Sequence, residues 1–164
     1  MKNVLSLEDF LITEMNKKEL YSNGDMARLD RSKRIKVVYD RIKVVNNFVI
    51  VQFESIDTSK NGSGKSWTQK IKLMDYDINS DDIKDYRKAI RGNIEVHCNC
   101  PDFLYHGYKY IGTQKEYSIE KENRKPVIRN PNEDGTVCKH LLAVLNKLPN
   151  FVKQSYKELK DERK

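Results

Sequence analysis

All three cysteines of the chain fall in two short matched triplets, Cys98-Asn99-Cys100 and, after 37 intervening residues, Cys138-Lys139-His140. Three sulfurs and one imidazole fill the four positions of a closed tetrahedral zinc site, and that donor set suits a borderline-soft d10 ion. With no position left for a catalytic water, the expected role of the metal is structural. The competing reading is a set of buried thiols, each acting as a small hydrophobe. Random burial, however, does not place every cysteine at matched one-residue spacing. A disulfide between Cys98 and Cys100 would be strained and would strand Cys138.

The neighbours of each triplet predict how it is held. Ile94, Val96 and Cys98 alternate as in a strand, so Cys98 and Cys100 share a face, His97 falls on the opposite one, and Pro101 stops the strand. His97 is therefore excluded as a ligand. At the other end Leu141, Val144, Leu145 and Leu148 follow helical spacing up to Pro149. Residues two apart on a helix diverge by about 200° around its axis, so both donors cannot face one ion from mid-helix. Cys138 is expected in the turn before the helix and His140 in its first turn, where the positive helix end favours thiolates. His106, in the loop between the triplets, is the reserve ligand, although a lone loop histidine is usually a surface residue.

Cys-x-Cys at a strand end, a variable loop, then Cys-x-His leading into a helix resembles the SWIM zinc finger. The flanks Cys100-Pro101-Asp102-Phe103 and Cys138-Lys139-His140-Leu141-Leu142-Ala143-Val144-Leu145 are similar to its wording. The resemblance covers Ile94 to Leu148, roughly a third of the chain, and rests on spacing, strand and helix context together. It implies one structural Zn2+ on Cys98, Cys100, Cys138 and His140, and nucleic acid as a partner. The loop is longer than the family's short form. Its wording, with Tyr105, Tyr108, Tyr110 and then Arg129-Asn130-Pro131, resembles a long-loop variant found in bacteriophage proteins of virion or assembly type.

Composition limits the rest. A chain of 164 residues with 38% hydrophobic and 34% charged residues can bury one lean core, which a metal would supplement. No apolar run approaches a membrane span and Met1 opens no leader-like segment, so a soluble, unsecreted protein made in the cytoplasm is expected, consistent with cysteines committed to metal. The net charge of +7 favours anionic partners, but 24 acidic residues are interspersed among 31 basic ones, which makes this a tendency and not a footprint.

Ser6-Leu7-Glu8-Asp9 reads as a helix start, with Leu7, Phe10, Leu11 and Met15 on one face of a helix reaching about Tyr21. Ser22-Asn23-Gly24-Asp25 breaks it. Arg28 to Lys43 then carries seven basic residues against Asp30 and Asp40, readable either as a solvated strand edge or as phosphate contact. From Ile35 the pattern turns to strands. Val49, Val51 and Phe53, then Trp67, Ile71 and Leu73, form the inward faces of two hairpin arms. The polar tip between them, Ser59 to Ser66, lacks the first glycine of a phosphate-binding loop and the helix that must follow one. Ser80-Asp81-Asp82 caps a helix carrying Ile83, Tyr86 and Ile90 on one face and ended by Gly92. Phe151 to Lys164 reads as a short terminal helix with Val152, Tyr156 and Leu159 on one face.

The expected fold is α+β, a small antiparallel sheet with flanking helices, held by one zinc site with a long inserted loop. It divides as an N-terminal helix or arm (1–24), a zinc-stapled domain (25–150) and a C-terminal helix (151–164). In the loop, Phe103, Tyr105, Tyr108, Tyr110 and Tyr117 interleave with Lys109, Lys115, Lys121, Arg124, Lys125 and Arg129. Three readings stay open. The first aromatics pack over the zinc site and the segment from Tyr117 to Asp134 is mobile; or the loop is a protein interface; or it is a stacking surface for single-stranded nucleic acid. The candidate contact residues are Arg28, Arg31, Lys33, Arg34, Tyr105, Tyr108, Lys109, Tyr110 and Arg129. No catalytic set emerges, and no membrane or small-molecule substrate is implied. The expectation is a non-enzymatic structural or assembly component that meets other protein subunits, with a nucleic-acid-binding module as the alternative.

Overall fold

A computed structural model describes residues 5–11, 30–58 and 64–164. Its centre is a five-stranded antiparallel sheet in the order β1-β5-β4-β3-β2: β1 Leu5–Ser6, β2 Ile35–Val45, β3 Phe48–Asp57, β4 Ser66–Leu73 and β5 Asn93–Cys98. The helices are α1 Ile83–Arg91, α2 Pro101–Tyr105, α3 Tyr108–Gln114, α4 Lys139–Lys147 and α5 Val152–Glu162, with a 3-10 turn over Leu148–Phe151 before α5. This is the expected α+β architecture.

The β2–β3 hairpin closes on Asn46 and Asn47 with φ of 49° and 65°, the left-handed pair that a two-residue turn requires and that asparagine tolerates. Val49, Val51, Phe53 and Ser55 of β3 alternate inward with Gln69, Ile71 and Leu73 of β4 and with Ile94, Val96 and Cys98 of β5. The β3–β4 register sets Val51 against Ile71. In β2 the register slips between Tyr39 and Arg41. This bulge at Asp40 lets Tyr39 and Ile42 face the same side, opposite Phe53 and Val51. There Glu158 of α5 accepts from Tyr39 Oη (2.6 Å) and from the Ile42 N–H (3.2 Å).

One core lies on the inward face. Helix α4 is buried from His140 to Leu145, as a helix apolar on most of its faces must be. Helix α1 starts where its sequence indicates: the Asp82 side chain accepts from the Lys84 N–H and Gly92 ends the helix. It meets α5 through fully buried Tyr86, whose hydroxyl donates to Ser155 Oγ (2.9 Å), which in turn donates to Phe151 O (2.8 Å). The C-terminal helix thus packs on its own domain, with Val152 and Leu159 buried and Lys160 and Arg163 paired to Asp81.

The N-terminal expectation holds as far as it can be followed. Ser6 and Asp9 cap one another, Asp9 N–H to Ser6 Oγ (3.1 Å) and Ser6 N–H to Asp9 Oδ2 (2.8 Å), as in a capping box with aspartate at the third position. Residues 7–11 are helical. Leu5 and Ser6 additionally pair with Ile94 and Asn93, which the sequence reading did not foresee. The continuation to Tyr21, the break at Ser22 to Gly24, candidate Arg28 and residues 59–63 of the hairpin tip lie outside the described residues.

The loop between the triplets departs most from expectation. Tyr108, Tyr117 and Ser118 are completely buried, and Tyr110 and Asn130 nearly so. Tyr117 packs edge-on against Phe10 at 5.1 Å and donates to Thr136 O at 2.8 Å. The Val96 N–H donates to Tyr117 O (2.8 Å) and the Ile119 N–H to Val96 O (3.1 Å), adding a parallel bridge to the outer edge of β5. With respect to the three open readings of the loop, the segment at Tyr117 begins as part of the sheet edge and core, because its ring is buried with its hydroxyl satisfied.

Candidate metal centre

Strand β5 ends at Cys98, two residues earlier than Pro101 alone predicts. Cys100 is already the N-cap of α2, Pro101 is its first helical residue, and the Phe103 N–H donates to Cys100 Sγ at 3.4 Å. Asn99 fixes this corner to β4: its N–H donates to Thr68 O (3.2 Å), and its Oδ1 accepts from the Thr68 N–H (2.8 Å). On the other side Cys138 is the N-cap of α4, with extended backbone and its C=O accepting from the Leu142 N–H (3.0 Å). His140 lies in the first turn. Both placements agree with the spacing argument.

The ligand atoms of Cys98, Cys100, Cys138 and His140 all lie within 4.8 Å of one another, and all four residues are buried, from 0% exposure at Cys138 to 4% at His140. Around a tetrahedral zinc with bonds of about 2.3 Å, donor atoms sit roughly 3.8 Å apart, so the cluster has the right size. One structural observation and the chemistry of the buried thiols agree with the ion. The buried His140 Nδ1 has no hydrogen-bond partner, a cost that buried imidazoles avoid unless a metal or another group satisfies them. The thiols are also electrostatically unbalanced. Burial pushes Cys138 well up, and its hydrogen bonds to Cys100 and Cys98 add to this. Burial also opposes ionisation of Cys98, yet hydrogen bonds from Cys100, Cys138 and Gln69 hold it well below the ordinary thiol range. Burial thus opposes ionisation of both thiols. A dication is what makes every coordinating sulfur a thiolate.

Gln69 is the functional residue that the sequence reading missed. Fully buried on the inward face of β4, it donates from Nε2 to Trp67 O (3.0 Å) and to Cys98 Sγ (3.4 Å). Its signal was available: a polar residue at the inward position between Trp67 and Ile71. Such outer donors orient a ligand and tune its charge. Gln69→Leu is expected to weaken zinc binding about 10- to 100-fold, read by competition with a chromophoric chelator; unchanged affinity would remove Gln69 from the site. The Trp67 ring lies tilted to the His140 ring at 6.3 Å.

The remaining histidines do not join the cluster. His97 lies on the outward face, 3.6 Å from Glu120 and edge-on to Phe103 at 5.7 Å. His106 stacks with Tyr108 at 5.0 Å.

The candidate contact residues separate by burial. Arg31, Lys33 and Arg34 are exposed just before β2, with Lys33 3.5 Å from Asp30. Tyr105 is 61% exposed, and Arg129 is exposed as well. Lys109 is ion-paired to Glu120 at 3.0 Å. Tyr108 and Tyr110 face inward, so their rings offer no stacking surface, a correction that follows from the core they fill.

Residues 80–109 and 132–149 match the family model of the SWIM zinc finger. The matched parts hold α1, β5, all four candidate ligands and α4, and the unmatched 110–131 correspond to the extra length of the loop. No curated protein and no solved structure gives a significant match. The match and the Cys3His cluster support a SWIM-type zinc finger holding one zinc ion.

Proposed function

We propose, from a SWIM-type zinc finger whose four metal donors are buried, that the protein is a non-enzymatic module working through protein–protein contacts. Its role is that of a structural or assembly component of a multi-subunit particle, and the wording of the loop favours a bacteriophage virion as the setting. One observation carries this reading. The loop that the zinc closes presents Val127 and Ile128, 67% and 90% exposed, at its tip, and exposed apolar residues clustered on an ordered element are characteristic of binding surfaces. The buried donors leave no open coordination position, which supports a stabilising metal rather than a catalytic one. No helix among the described residues is long and apolar enough to cross a membrane.

Nucleic acid is the second reading, supported by the net charge of +7 and by exposed Arg31, Lys33 and Arg34. With Tyr108, Tyr110 and Tyr117 buried, it rests on phosphate contact more than on stacking. Salt separates the two readings. Phosphate-led binding with several contacts falls steeply, by orders of magnitude, between about 50 and 200 mM salt, whereas a packed protein interface changes little. The expected outcome is no salt-sensitive gel shift on single- or double-stranded oligonucleotides, together with incorporation into a larger particle. A steep shift from a strictly monomeric protein would reverse the assignment.

A further inference from the structure

We infer that the tip of the inserted loop is a preformed docking surface for an acidic, apolar segment of a partner protein. Tyr105 at the end of α2 and Val127, Ile128 and Arg129 in a turn, with Lys125 and Pro126, line an open groove of about 380 Å³. Three of these six are exposed large apolar or aromatic side chains, at 61%, 67% and 90%. Two β-branched residues at the crest of a polar loop are costly to solvate and contribute nothing to the core behind them.

The tip is held in place, which distinguishes it from a random exposed hydrophobe. The Asn130 side chain donates to His106 O (3.0 Å) and Asp134 O (2.7 Å) and accepts from the Asp134 N–H (2.9 Å). The Asn130 N–H closes the turn on Pro126 O at 3.0 Å. Beneath it Gly107 has φ of +87°, and a Cβ there would overlap the Pro126 ring, so glycine is needed both for the backbone and for this close approach. A surface fixed in advance loses little entropy when occupied.

Charge identifies the occupant. Among the described residues the groove is lined by Lys125 and Arg129 and by no carboxylate; Lys125 is 3.9 Å from exposed Glu133, a solvent-screened pair, and no ion pair holds Arg129, so the rim stays net positive. The complementary partner places leucine or phenylalanine on Tyr105, Val127 and Ile128, with aspartate or glutamate on either side.

This inference rests on the protein-contact reading and narrows it. The test is selection of a displayed random 12-residue peptide library on the zinc-loaded full chain, counter-selected on Ile128→Asp. Because Ile128 is exposed, its replacement should leave zinc content and melting unchanged. Enriched peptides should carry an apolar residue flanked by acids, and Ile128→Asp and Arg129→Glu should each weaken them at least tenfold. No enrichment, basic peptides, or peptides that bind Ile128→Asp equally well would overturn the docking surface. So would displacement of the peptides by a single-stranded oligonucleotide, or a concentration-dependent dimer abolished by Ile128→Asp, which would identify a second copy as the occupant. Failure here beside salt-insensitive assembly sinks this surface alone; salt-steep oligonucleotide binding sinks the protein-contact reading as well.

Discussion

Replacing Cys138 with serine is expected to release the zinc and unfold the region from Val96 to Leu148. The exchange alters one atom at a position with no exposure, so loss of packing alone would cost little. The metal is a different matter, since structural zinc contributes an apparent free energy on the order of 10 kcal/mol, comparable with the whole stability of a domain. Cys138 also starts α4 while joining it to the end of β5, so one lost ligand separates a strand from the central helix. Native mass spectrometry should find one zinc in the parent chain, none in Cys138→Ser, and none after chelation. Amide exchange should show the same region deprotected in the variant and in the chelated parent. A variant that keeps stoichiometric zinc and melts within a few degrees of the parent would refute the structural role of the metal.

Tyr117→Ala should be strongly damaging although it touches no metal ligand. It removes a completely buried ring, its edge contact with Phe10 and its hydrogen bond to Thr136 O. Large-to-alanine changes of aromatic core residues cost about 3–5 kcal/mol, and in a chain of this size each kcal/mol lowers the midpoint by roughly 2–4 °C. Tyr117→Phe keeps the ring and should cost about 1 kcal/mol for the lost hydrogen bond. Zinc-saturated thermal melts of the two variants separate the contributions. If the alanine variant melts like the parent, the inserted loop carries no core.

The parts of the fold legible in the sequence are those whose signals are local. The donor pattern at 98, 100, 138 and 140 fixes a strand end and a helix entrance by spacing alone. Asp82 and Gly92 bracket α1 because capping chemistry is read within a few residues. The alternation of Val49, Val51 and Phe53 is likewise intrinsic to the strand. Signals depending on distant partners were not legible. Leu5 and Ser6 become strand only because Ile94 and Asn93 offer an edge. Helices α2 and α3, of five and seven residues, are too short for a helical period to appear, so the sequence leaves Tyr108 and Tyr110 open between core and contact surface, and they are core. Gln69 was concealed differently. A single polar residue in an apolar row looks like noise until a sulfur is found 3.4 Å away.

The parallel bridge at Val96 and Ser118, together with Leu5 and Ser6, seals the β5 margin of the sheet. At the opposite margin the Ile42 amide is engaged by Glu158 and the Ile35 carbonyl by Lys147. Open-ended stacking of strands from one molecule to the next needs two vacant margins on every subunit. Among the described residues the first margin is covered and the second is engaged at two points, so strand-to-strand growth from one molecule to the next finds little to build on.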